Sequence, residues 1–175
     1  INSVIELINK ARKNEGIDIS PLRELLEKTL NEDIIRKSNK DFGLVTVWWD
    51  KKINPHPLYI EDIPNKRLID YLIASSSLPI FQLNRIDDKL FLDGMFFDNM
   101  PISLLEQKGY EDIVVIRLLD DFLGKINLNK YQSINIKTIV PSAYLGGSLN
   151  KDKDNVQKNI NLGYLDAMKA YDRYE

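Results

Sequence analysis

Residues 113–118 read Ile-Val-Val-Ile-Arg-Leu, an apolar, β-branched run interrupted by a single charge. A strand with one face in water alternates apolar and polar side chains, whereas a run like this is expected where both faces of a parallel sheet are covered. Residues 134–140 supply a second strand, and a long helical pattern starts near Asp154, with Val156, Ile160, Tyr164, Ala167, Met168 and Tyr171 on one stripe. Strands alternating with helices favour crossover units. The expected class is therefore α/β with a mostly parallel central sheet.

The preceding residues fit that class. Val4, Leu7, Ile8 and Ala11 recur at helical spacing and Gly16 supplies a stop. Ser20-Pro21 opens a second helix, with Ser20 expected to cap it and Leu22, Leu25, Leu26 and Leu30 on its apolar face. Residues 43–50 (GLVTVWWD) read as a strand, Pro55 and Pro57 as its end, and residues 58–60 as a short partner. A helix after Pro64 turns Leu68, Tyr71 and Leu72 inward and closes at Pro79. A brief strand at 89–92 and a short helix at 103–108, ended by Gly109, complete the pattern. No repeat is visible, so residues 1–175 are expected to form part of one domain.

Composition narrows the function classes. The 24 basic and 26 acidic residues are mixed along the chain, so no electrostatic footprint for nucleic acid is present. Without cysteine there are no disulfides or thiolate metal sites, which fits a reducing, cytoplasmic setting. No apolar run approaches the roughly 20 residues needed to span a bilayer. Ile1 at the start, and a helical pattern still uncapped at Glu175, read as two cuts in a longer protein.

Asp93-Gly94 follows the 89–92 strand directly, and ligands gather beyond the carboxyl ends of strands in open parallel sheets. Glycine is expected there for its backbone freedom, letting the chain turn sharply and present the carboxylate. By itself the dipeptide is also a common turn without chemistry.

The surrounding pattern shifts that balance. Ala74-Ser75-Ser76-Ser77-Leu78-Pro79-Ile80-Phe81, then Leu92-Asp93-Gly94, Asp98-Asn99-Met100-Pro101 and the strand at Ile113 together resemble patatin-like phospholipases. Pro141, Leu145-Gly146-Gly147 and Gly163-Tyr164-Leu165-Asp166-Ala167 resemble the tail of bacterial members, which extends the likeness over residues 18–171. The resemblance implies a three-layer acyl-hydrolase fold, incomplete on its amino-terminal side. It also implies that Asp93 is the aspartate of a serine-aspartate dyad, in an active-site turn containing Gly94, Asp98 and Asn99. Met95 stands where the family carries a third glycine or an alanine.

The family's Gly-rich oxyanion loop and G-x-S-x-G elbow precede the matched region, and neither pattern occurs in these residues. Ser148 follows Gly146-Gly147, but Asn150 stands where the elbow needs glycine; Ser75, Ser76 and Ser77 lack flanking glycines altogether. The single histidine, His56, sits between two prolines and reads as a solvated turn, which leaves no imidazole for a triad. Asp152-Lys153-Asp154 starts like a calcium loop, but Gln157 and Gly163 occupy positions that need glycine and glutamate, so no metal or other cofactor is expected. Asp87 and Asp88 read as acidic surface.

Two function classes follow. In the first, the chain is part of a lipid ester or phospholipid hydrolase, contributes the aspartate but not the serine, and is inactive alone. In the second, it is a non-catalytic α/β binding or scaffold module. Trp48-Trp49 and the apolar helix faces add peripheral membrane contact as an expectation, although adjacent strand positions require at least one tryptophan to point inward. A missing nucleophile strand should also leave an exposed sheet edge through which the chain self-associates.

Overall fold

The computed structural model describes residues 16–82, 84–118, 130–146 and 152–171. The helix expected at residues 4–11 and the loop around Ser148 lie outside them. The chain divides into two compact units, Ile1–Leu104 and Leu105–Glu175.

In the first unit, α1 spans Ser20–Thr29 and α2 spans Glu32–Lys37. Ser20 is not the cap: the residue before it, Ile19, holds that position, and Asp18 Oδ1 accepts the Ser20 N–H at 2.9 Å. The apolar face of α1 is only partly covered, with Leu26 and Leu30 half-buried and Leu22 and Leu25 exposed. The short helix α2, which sequence pattern did not reveal, is capped by Asn31, whose side chain accepts the Ile34 N–H.

Strands β1 (Gly43–Asp50) and β2 (Lys52–Tyr59) form a hairpin, followed by a 3₁₀ turn at Ile60–Asp62 and helix α3 (Leu68–Ser75). A second hairpin joins β3 (Asn84–Ile86) to β4 (Lys89–Asp93). Its turn residues, Asp87 and Asp88, both have positive φ and are exposed. The four strands make one antiparallel sheet in the order β2-β1-β4-β3. The sheet of this unit is thus antiparallel where a parallel one was expected.

Pro55 and Pro57 lie inside β2 rather than ending it, because β2 is an edge strand. Backbone donors alternate in direction along a strand, so prolines two apart both omit a donor on the same side. That side is the outer edge, where no ladder bond is lost.

The sheet is packed on both faces. Leu44, Leu58, Phe91 and Ile86 meet Leu68, Tyr71 and Ala74 of α3, with Trp48 against this cluster. Val47, Leu90 and Leu92 form the opposite cluster with Trp49, Ile53 and Phe96. Each tryptophan therefore serves one core face, as period-two alternation requires. The Lys89 ammonium also sits 4.8 Å from the centre of the Trp48 ring.

Arg36 ties α2 to the segment leading into α3. It donates to the carbonyls of Ile60, Ile63 and Pro64 and, through Nε, to Glu32 at 2.7 Å. Glu32 in turn accepts the N–H groups of Lys66 and Leu68. Burial raises the Glu32 pKa, but Arg36 and the two backbone donors outweigh it and hold the carboxyl below its ordinary value.

In the second unit, α4 (Ile102–Gln107) reaches in from residue 102, β5 (Asp112–Ile116) and β6 (Asn135–Ile139) pair in parallel, and α5 (Lys153–Ala170) follows. Parallel pairing agrees with the expectation from residues 113–118, but burial on both faces does not. Ile113 and Val115 are buried, whereas Val114 and Ile116 are 46% and 67% exposed. The stripe on α5 is likewise mostly exposed at Val156, Ile160 and Tyr164.

Replacing Arg36 with alanine should lower unfolding stability by about 2–4 kcal/mol, because Glu32 and three carbonyls lose a charged donor together. Urea denaturation at neutral pH checks this. Since the Glu32 pKa is depressed in the folded chain, its contribution is present above its unfolded value of about 4.3 and is lost as pH falls through the folded value. The difference between wild type and Glu32→Gln should therefore shrink on acidification.

Candidate active site

Asp93 ends β4 opposite Thr46 of β1. Its backbone N–H donates to the Ser77 carbonyl at 2.9 Å, which fixes the strand end to the chain leaving α3. The Thr46 hydroxyl, fully buried, donates across the strands to the Leu92 carbonyl at 2.8 Å. Behind the turn the Val45 carbonyl accepts the Ser75 hydroxyl at 2.7 Å. Helix, central strand and turn converge on that one peptide group.

Gly94 is required there by space, not by backbone angle. Its φ is not in the left-handed region, but a Cβ at this position would lie 2.7 Å from the Val45 carbonyl carbon and closer still to its oxygen. Gly94–Phe96 then forms a single 3₁₀ turn capped by Asp93, whose Oδ1 accepts the Met95 N–H at 2.9 Å. What the turn uses at residue 95 is the backbone N–H, at a φ open to any side chain, so methionine is accommodated.

The Asp93 carboxylate is half-buried, and no lysine or arginine among the described residues forms an ion pair with it. Burial pushes its pKa up, and the Met95 N–H offsets only part of that. Such a carboxylate is a better base than one in water.

Asp98 and Asn99 lie on the way out of the turn. Asp98 donates its N–H to the Gly94 carbonyl and accepts the Met100 N–H at 3.0 Å, which shapes the bend before Pro101. Asn99 is exposed.

The serine run carries no free hydroxyl. Ser75 donates to Val45, Ser76 to the Leu72 and Ile73 carbonyls, and the buried Ser77 to Ile73 at 2.6 Å. Their role is hydrogen bonding as well as small size. His56 is a strand residue, not a solvated turn. It is half-buried with its ring 5.8 Å from Phe91 and 6.3 Å from Tyr71, and burial and then Lys89 lower its pKa against the pull of Asp62. His56 and Asp93 pair with Thr46 from opposite sides, two strand spacings or about 10 Å apart. Direct contact between them is out of reach.

Among the described residues no group of three or more histidine or acidic side chains could hold a metal. Asp152 instead caps α5 by accepting the Asp154 N–H. Sequence reasoning missed Thr46 and the Ser77 carbonyl; only the cross-strand register brings them to Asp93.

The family model for patatin-like phospholipase matches residues 4–105. That stretch holds the helix end at Ala74, the serine run and the Asp93-Gly94 turn. The chain belongs to the patatin-like phospholipase family. No curated protein matches it. The family consists of lipid acyl hydrolases, and the patatin-like match ends beside the boundary of the first compact unit. The likeness read at Pro141 and beyond lies outside it. No helix among the described residues is long and apolar enough to cross a membrane.

Two outcomes follow from the turn. Gly94→Ala should cost at least about 2 kcal/mol in urea unfolding, since backbone rather than a flexible side chain blocks the added methyl. Because the Asp93 pKa is raised in the folded state, its favourable contribution is complete below about 3.9 and is lost as pH rises through the folded value. Asp93→Asn, which keeps the acceptor for Met95, should therefore raise the urea midpoint at pH 7 and lose that advantage below pH 3.9.

Proposed function

We propose that this chain is the aspartate-bearing part of a single patatin-like domain, in a lipid acyl hydrolase that cleaves ester bonds through a serine-aspartate dyad. The carrying observation is the half-buried Asp93 carboxylate at a strand end, without an ion-pair partner among the described residues and held by the Met95 N–H within the stretch that matches the family. In this reading a serine from a G-x-S-x-G elbow, which residues 1–175 do not contain, attacks the ester carbonyl. Asp93 accepts or orients that hydroxyl proton, and a Gly-rich loop stabilises the oxyanion. Gly94, Asp98 and Asn99 shape the turn that presents the carboxylate. The complete domain would have the three-layer, mostly parallel architecture expected above.

A lipid ester is also compatible with the second unit. There an apolar groove of about 330 Å³ opens between the ends of β5 and β6 and helix α5, bordered by Ile116, Ile139, Val156 and Ile160. Peripheral contact with a lipid surface follows from the substrate class. The alternative, a non-catalytic scaffold module with the same fold, is separated from this reading by the residues upstream of Ile1: a G-x-S-x-G elbow there supports the hydrolase, and its absence there supports the scaffold.

Residues 1–175 alone should leave a p-nitrophenyl ester at its background hydrolysis rate. A longer protein supplying the elbow upstream of the same residues should hydrolyse it, with Asp93→Asn lowering kcat by roughly 10²–10⁴-fold. Turnover by residues 1–175 that is unaffected by Asp93→Asn contradicts the dyad, and an elbow-containing protein that remains inert supports the scaffold.

A further inference from the structure

The peptide group joining Leu92 to Asp93 is held at both of its polar atoms, each by a different element. On one side the Asp93 N–H donates to the Ser77 carbonyl at 2.9 Å. Ser77 is itself fixed at the end of α3, its N–H on the Ala74 carbonyl and its buried hydroxyl on that of Ile73. On the other side the Leu92 carbonyl accepts the hydroxyl of Thr46, a fully buried residue of the central strand β1, at 2.8 Å.

That hydroxyl does not fill a gap in the ladder. Asp93 turns its N–H toward Ser77, so its backbone groups face away from β1 and Thr46–Asp93 is a non-hydrogen-bonded pair. Val47–Leu92 is then a hydrogen-bonded pair, which gives the Leu92 carbonyl the Val47 N–H as well. The same alternation points the Thr46 backbone at His56 of β2, in agreement with the outward-facing Pro55 and Pro57. Val47–Leu92 is also the last such rung before the turn, because the next carbonyl along β1, that of Val45, takes the Ser75 hydroxyl. Strand ends open more readily than strand centres, so a second donor has most effect there.

Opposite residues of an antiparallel pair share a face, and in a non-hydrogen-bonded pair their Cα atoms are about 4.5 Å apart. Thr46 therefore lies beside Asp93, yet its single donor hydrogen is spent on Leu92 rather than on the carboxylate. What it controls is the plane of the peptide from which the Asp93 side chain departs. We propose that Thr46 is a positioning residue for Asp93: its hydroxyl locks the Leu92–Asp93 peptide against the Ser77 anchor, so that the carboxylate keeps one orientation, with Oδ1 on the Met95 N–H. The catalytic half of this inference rests on the hydrolase reading. There the orientation sets the approach of the carboxylate to the serine hydroxyl, and a misplacement of about 1 Å can cost on the order of 10²-fold in rate.

Two substitutions separate positioning from packing. Thr46→Val keeps the shape, removes the hydroxyl and orphans no buried acceptor, since Leu92 retains the Val47 N–H. Thr46→Ser keeps the hydroxyl and loses the methyl group. In residues 1–175, hydrogen exchange of the Met95 amide followed by NMR should speed up about tenfold in Thr46→Val and stay near the unsubstituted rate in Thr46→Ser. The Ile34 amide, held by the Asn31 side chain in a similar way, should not change in either. In a longer protein that carries the elbow, Thr46→Val should lower kcat for a p-nitrophenyl ester about tenfold with KM within about twofold, and Thr46→Ser should keep most of the rate. A longer protein that is inert before substitution contradicts the hydrolase reading alone, and Met95 exchange then decides the positioning claim. Unchanged Met95 exchange in Thr46→Val overturns that claim. So does a loss in Thr46→Ser as large as that in Thr46→Val, the order that packing predicts.

Discussion

The Val45 carbonyl is the point on which the candidate site depends. It accepts the Ser75 hydroxyl from the end of α3, and Gly94 packs against it where no side chain fits. With the bond from Asp93 N–H to the Ser77 carbonyl, these contacts place the end of β4 against both the central strand and the helix end. The position of the Asp93 carboxylate follows from packing on either side, not from a flexible loop.

Much of this was legible in sequence because the relevant signals are local. The β1 segment GLVTVWWD carries its period in its own residues, and its tryptophans divide between the two core faces. The helix facing Leu68 and Tyr71 inward was likewise visible, as was the parallel pairing of residues 113–116. What escaped notice depends on register or on strand order. Pro55 and Pro57 look like breakers until β2 is known to be an edge, where two missing donors on the outer side cost no pairing. His56, caught between them, then becomes a core-facing strand residue instead of a turn.

Gly94 shows a similar limit. Sequence justified a glycine by backbone freedom, whereas the structure justifies it by the closeness of another strand's carbonyl. The distinction matters because it explains why Met95 is tolerated. The turn needs its narrow point at residue 94 and only a backbone N–H at residue 95. Thr46 could not be singled out from sequence at all, since it is far from Asp93 along the chain and meets it only through the β1–β4 register.

Family membership, the half-buried carboxylate and the tied-up local serines support the proposal that Asp93 accepts or orients the proton of a serine outside these residues. The central physical claim is that this carboxyl is harder to ionise than a free aspartate because the fold half-buries it without an ion-pair partner among the described residues. Carbon-13 NMR titration of the Asp93 side-chain carboxyl in the folded chain measures this directly. The account predicts a midpoint above the ordinary value of about 3.9, and a midpoint at or below that value would contradict it.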